Sequence, residues 1–172
     1  MQNAKSRLVL VVLWLVGAFA VSSLRADDLP RPTGDVILSV TGNISRTNAP
    51  MRADFDRGML LALGEQSFTT SHSWADKPTT FTGVPVARLL DAVGAQGTKI
   101  RAGAVNSYSV ELDVAELRRY PVLLAMKADG VELQLRDRGP LWIVYPRDSF
   151  RELRDESNNF KWIWQLRSLE LR

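Results

Sequence analysis

The 172-residue chain contains no cysteine. That absence removes disulfides, zinc–thiolate sites, iron–sulfur clusters and cysteine nucleophiles at once. Histidine occurs once, as His72, so a histidine-rich metal site is excluded as well. A Ser–His–Asp triad would have to use His72 as its base, and no Gly-x-Ser-x-Gly nucleophile elbow supplies the serine. His72 fits better as a hydrogen-bonding residue of a pocket wall or as a satisfied core group. The apolar run from Leu8 to Val21 falls short of the roughly 20 residues that cross a bilayer. Lys5 and Arg7 precede it and the mostly small or polar Ser22–Ala26 follows, the three-part pattern of a secretory signal over residues 1–26. Cleavage is expected after Ala26, with an uncleaved anchor as the alternative. The lack of cysteine excludes a lipid anchor there.

Charge of one sign is also lacking once the signal is removed. Lys5, Arg7 and Arg25 leave with it and no acid does, so the formal charge falls from +3 to zero. Basic residues in the remainder are interleaved with acids, which gives no footprint for nucleic acid. About 145 residues without disulfides suffice to bury an ordinary core.

In order along the mature chain, residues 27–34 read as an extended leader carrying Pro30 and Pro32. Val36–Gly42 is rich in β-branched residues and reads as a strand, followed by a polar loop over 43–52. Phe55, Met59, Leu60 and Leu63 fall at helical spacing, with Asp54 as the expected cap and Gly64 as the stop. Ser67–Trp74 is an uncharged run of hydroxyl and aromatic residues. Thr79–Thr82 is β-prone, and Pro85 suits the first position of a helix whose apolar face is Val86, Leu89, Leu90 and Val93. Lys99–Val105 and Tyr108–Leu112 read as strands, and Asp113–Glu116 as an acidic capping signature for a helix that Pro121 stops. Val122–Lys127 and Val131–Arg136 flank Asp129-Gly130, the strongest hairpin signal in the chain. Gly139-Pro140 is expected to form an open turn, with Gly139 supplying unusual backbone angles, that feeds a buried strand, Leu141–Tyr145. A charged excursion over 147–161 precedes a closing strand, Trp162–Leu171. Many strands with three short helices make a single α+β domain over 35–172.

Outside the signal, Trp74, Trp142, Trp162 and Trp164 all border polar loops. Flat aromatic side chains sandwich flat heterocycles, each stacked pair contributing about 0.5–1.5 kcal/mol beyond the area buried. With Tyr108 and the Gly139 turn they point to a planar ligand, the alternative being four core indoles.

Four segments in order carry a resemblance: Phe81–Val86 leading into Leu89-Leu90, Ala104–Ser109, Ala128–Leu133 and Gly139–Pro146. Over roughly residues 35–172 the chain resembles the molybdopterin-binding domain of the sulfite oxidase family. The resemblance implies a mixed-sheet fold with a deep pterin pocket. Two departures stand out. Members of that family ligate molybdenum with a cysteine from the loop matching about Thr69–His72, and soft sulfur has no equivalent in Ser, Thr or His. An arginine that forks onto the cofactor phosphate is matched by Trp142.

Within that family the chain resembles small exported, cysteine-less pterin-binding regulators. This likeness implies a non-catalytic periplasmic protein of a Gram-negative bacterium that binds a pterin without molybdenum. It also implies a partner, the periplasmic domain of an inner-membrane signalling enzyme that controls cyclic di-GMP. A molybdopterin oxidoreductase or electron-transfer subunit with a non-cysteine site is the alternative. A pterin needs aromatic walls and a polar group at its donor–acceptor edge. Trp74, Tyr108, Trp142 and Trp164 are the wall candidates, and Asn106, Glu111 and Asp137 the edge candidates. Arg138 and His72 are the candidates to meet the ring carbonyl or side-chain hydroxyls, and Gly139 is included as the residue of the open turn. Lys161 occupies the place of a cofactor-contacting lysine in the family.

Overall fold

Alternation of buried and half-exposed side chains sets the first strand, β1 (Leu38–Gly42), in which Leu38 and Val40 face the core. The computed structural model describes residues 28–172; the expected signal, 1–26, lies outside the described residues. β1 pairs antiparallel with β2 (Arg52–Phe55) and parallel with the closing strand β10 (Leu166–Leu171). Two further antiparallel strands, β5 (Lys99–Ala104) and β6 (Ser109–Asp113), complete a sheet of order β2-β1-β10-β5-β6.

The second sheet is built on the most apolar strand, β7 (Leu123–Ala128), whose first four residues are all buried. β4 (Thr79–Pro85) lies on one side of it and carries β3 (Gln66–Thr70) at its outer edge. Along the other side run β8 (Val131–Glu132) and then β9 (Trp142–Val144), in successive stretches. Ala125 is the register partner of Trp142, which fixes that indole against the core strand. Helices α1 (Arg57–Ala62), α2 (Val86–Ala92) and α3 (Val114–Arg119) bury Leu60, Leu89 and Leu117 among their apolar residues. This is the mixed-sheet, few-helix α+β domain expected from the sequence.

Several local expectations are corrected. Asp54 is a strand residue, not a helix cap. Its main chain exchanges hydrogen bonds with the Asn48 side chain, and its carboxylate takes Ser39 Oγ and Arg52 Nε. These bonds accompany the pairing of Arg52–Phe55 as β2, which takes the last residue of the expected loop and the first residues of the expected helix. The cap is Asp56, whose carboxylate accepts Met59 N–H at 2.8 Å. The same carboxylate accepts the main-chain amides of Thr33 and Gly34 at 2.7 and 2.9 Å, so it ties the leader to the domain.

Pro85 ends β4 and precedes α2 instead of occupying its first turn. The capping signature at α3 is not made, because Asp113 pairs with Lys99 and Glu116 with Lys161. The Asp129-Gly130 hairpin forms with positive φ at both residues, 50° and 79°. β8 stops at Glu132, however, since residues 135–137 wind into a 3-10 turn. The excursion is also structured, as three 3-10 turns, Arg147–Ser149, Arg151–Arg154 and Glu156–Lys161. The closing strand starts at Leu166 and not at Trp162, because Gln165 takes φ 52° just before it.

At the Gly139-Pro140 turn the left-handed residue is Arg138, at φ 71°. Gly139 is buried, and a Cβ there would overlap the Leu133 carbonyl. The glycine is therefore required by close backbone approach and not by an unusual φ, and the turn is folded onto the domain at that point.

Candidate functional site

Aromatic residues from four segments converge where the loop after β3 meets the end of the excursion. His72 is buried; its Nδ1 accepts Trp74 N–H at 3.3 Å and its Nε2 lies 3.2 Å from Thr79 Oγ1. Phe81 from β4 stands edge-on to Trp142 at 5.1 Å, and Trp74 edge-on to Trp164 at 5.1 Å. Trp162 closes the group, 6.0 Å from Trp142. Trp142 and Trp162 are only 2% and 4% exposed, so these two indoles pack mainly against rings. The left-handed Arg138 lays its guanidinium over Trp142 and Trp164, at 5.2 and 5.7 Å from the ring centres.

This cluster separates two clefts. The first, of about 360 Å³, is bordered by the contacting pair Trp74 and Trp164 together with Tyr108, Phe160, Trp162, Asn106 and Asn159. No charged side chain lines it. The second, of about 280 Å³, has charged residues on its border, Asp129, Glu132, Asp137 and Arg138, together with His72 and Trp142. The indole nitrogen of Trp142 is buried without a hydrogen-bond partner. Burial holds the His72 imidazole below its ordinary pKa, and the positive charges of Arg138 and Arg147 act in the same direction. His72 is accordingly a neutral ring at physiological pH.

The expected site residues divide among these places. Trp74, Asn106, Tyr108 and Trp164 come together at the first cleft, and His72, Asp137, Arg138 and Trp142 at the second. Trp142 belongs chiefly to the packed cluster and does not line the first cleft. Gly139, Glu111 and Lys161 line neither. Gly139 is covered by Leu133. Glu111 is an exposed residue of β6, 3.9 Å from Lys99, and Lys161 is held by both oxygens of Glu116 at 2.7 and 2.9 Å. Phe160 and Asn159 border the first cleft without having been singled out from the sequence, and Trp162, counted there among the four indoles but not among the wall candidates, joins them. Phe160 and Asn159 belong to the Glu156–Lys161 3-10 turn, so no strand-like alternation announced them.

The donor set speaks against a metal bound as a thiolate complex. No cysteine is present, and both nitrogens of His72, in the loop matching the family's ligand, are already engaged. Among the described residues no group of three or more His, Cys, Asp or Glu is placed to hold a metal ion. The first cleft offers aromatic side chains and two side-chain amides.

The model of the oxidoreductase molybdopterin binding domain family matches residues 49–169. The chain belongs to that family. Comparison with curated protein sequences gives no match. Among solved structures, the sulfane dehydrogenase SoxCD from Paracoccus pantotrophus is similar, with a TM-score of 0.62 and 17% identity over 83% of this chain. The chain spans 39% of the length of that structure's chain, and at this identity the likeness establishes the shared fold.

Proposed function

We propose that the protein is a non-catalytic member of its family that binds a pterin without molybdenum in the Trp74–Trp164 cleft. The observation that carries this reading is an uncharged, aromatic-walled cleft of about 360 Å³ in a chain with no cysteine. Membership of a molybdopterin-binding family supplies the ligand class, and the missing sulfur donor removes the usual means of fixing the metal. The test is extraction of protein purified from its native compartment. Bound pterin fluorescence at about one equivalent without molybdenum is the expected result. Stoichiometric molybdenum would instead support a molybdopterin oxidoreductase or electron-transfer subunit, the reading that family membership alone favours.

The proposal extends to location and partner. The basic–apolar–small pattern of residues 1–26 supports export to the periplasm of a Gram-negative bacterium. The likeness to exported pterin-binding regulators supports a complex with the periplasmic domain of an inner-membrane enzyme controlling cyclic di-GMP. This domain then reports pterin through its loaded form. Co-purification with such a membrane protein, strengthened by added pterin, is the expected outcome; equal recovery with and without pterin would exclude reporting.

A further inference from the structure

Sheet edges are usually blunted by charge, proline or a covering segment, because their free main-chain groups can pair with another strand. Among the described residues β2, β6 and β8 carry charges, and β9 is covered by Ile163, whose carbonyl takes the Ile143 N–H at 2.9 Å. The outer edge of β3, Gln66-Ser67-Phe68-Thr69-Thr70, has neither charge nor proline. Which of its groups face outward follows from β4. Thr80 gives its N–H to Asp129 Oδ1 and takes the Asp129 N–H on its carbonyl, both at 2.8 Å, so its main chain points away from β3. Main-chain groups alternate sides along an antiparallel strand, so the next residue, Phe81, points to β3 and bonds to its register partner Phe68. Ser67 and Thr69, on either side of Phe68, therefore direct their N–H and C=O outward. No other described residue takes those groups.

We propose that β3 is the contact strand of a homodimer, pairing antiparallel with β3 of a second copy about a twofold axis at Phe68. The symmetry of the edge is what commits it to its own copy. Turned about Phe68, each Ser67 comes opposite a Thr69, and the outward N–H and C=O groups of both are exchanged. On the exposed face Ser67 Oγ lies 2.7 Å from Thr82 Oγ1 and Thr69 Oγ1 2.8 Å from Thr80 Oγ1, a row of paired hydroxyls that continues into the second sheet. On the other face Phe68 is half-buried against the core. At the axis it meets its own counterpart as a non-hydrogen-bonded pair, where side chains come closest, and the open half of each ring is covered. The same operation on β6 would set Glu111 against Glu111, and like charges directly opposite destabilise a pair. Five paired residues make a small contact, so the dimer is concentration-dependent. It does not depend on the ligand assigned above.

Sedimentation velocity on the purified protein, over a series from micromolar to near-millimolar, is the test. A dimer fraction that rises with concentration is expected. Thr69→Pro removes an N–H that faces outward and leaves the β3–β4 bonds in place, and Ser67→Lys puts a charge on the edge. Each variant is expected to stay monomeric at the highest concentration with an unchanged far-ultraviolet dichroism spectrum. Because the chain has no cysteine, Phe68→Cys places a single thiol at the axis, where the close Cα approach suits a disulfide. Mild oxidation is expected to link it as a dimer and to leave Glu111→Cys, on β6, unlinked at the same concentration. A protein monomeric at every concentration, whether β3 is bare or holds a strand of a different protein, overturns the inference. So does a dimer that survives in both folded edge variants, or one that links equally through Glu111→Cys.

Discussion

His72 and Trp142 stand edge to face, their ring centroids 5.5 Å apart with planes inclined at 74°. Four other rings, Trp74, Phe81, Trp162 and Trp164, complete the contact around Trp142. The indole is 2% exposed and its β9 position is locked to Ala125 of β7. Trp142→Ala therefore opens a cavity in the core, with an expected loss of about 3–5 kcal/mol in unfolding free energy. Urea denaturation measures it, and a loss below about 1 kcal/mol would show that the cluster is not load-sharing core.

The same burial gives the protein a pH dependence. The imidazole of His72 is held below its ordinary value of 6.5 first by desolvation, then by Arg138 and Arg147, with Asp129 opposing them. The unfolded chain binds a proton more readily than the folded one, so stability is full above about pH 6.5 and is lost as pH falls toward the folded value. His72→Gln removes this slope. Denaturant midpoints between pH 7 and 5 are expected to decline in the original protein and to stay flatter in the variant. Carboxylates held low by hydrogen bonds, such as Asp56, act in a lower window, below their ordinary 3.8.

The fold class was legible because its determinants are local and periodic. β1 alternates, Asp129-Gly130 supplies both left-handed residues of a hairpin, and α2 carries its apolar stripe between Pro85 and Gly94. β2 was illegible because its pairing depends on Asn48 and Ser39 finding Asp54 in space. The site was half legible for a related reason. Aromatic residues announce themselves in a sequence, but whether an indole faces a cleft or other indoles is decided by tertiary packing. Trp142 and Trp164 look alike along the chain, and only the fold separates core from wall. Glu111 and Lys161 line neither cleft; Lys99 and Glu116, their ion-pair partners, sit next to them in three dimensions.

Asp56 joins three main-chain amides, those of Met59, Gly34 and Thr33, and these hydrogen bonds hold its carboxyl below the ordinary range. Asp56→Ala removes the α1 cap and frees the leader together. A loss of about 2 kcal/mol is expected, at the upper end of capping effects because two further donors lose their partner. Thermal unfolding measures the loss, and faster amide exchange at Thr33 and Gly34 distinguishes release of the leader from simple fraying of the helix. An unchanged exchange rate at those two amides would show that the leader is held by other contacts.

Trp164 provides the contrast with Trp142. It is partly exposed, meets Trp74 edge-on at 5.1 Å and an inclination of 85°, and borders the first cleft directly. Its truncation removes a ligand face and leaves the strand register of β7 and β9 untouched. Trp164→Ala is expected to weaken pterin binding by at least about 1 kcal/mol while costing less stability than Trp142→Ala. Isothermal titration and urea denaturation on the same two variants separate the effects. If Trp164→Ala leaves pterin affinity unchanged, the ligand lies elsewhere, and the second cleft, bordered by His72 and Arg138, becomes the place to look. If instead both variants lose binding only in proportion to their loss of folded protein, neither indole touches the ring, and the aromatic cluster is core throughout.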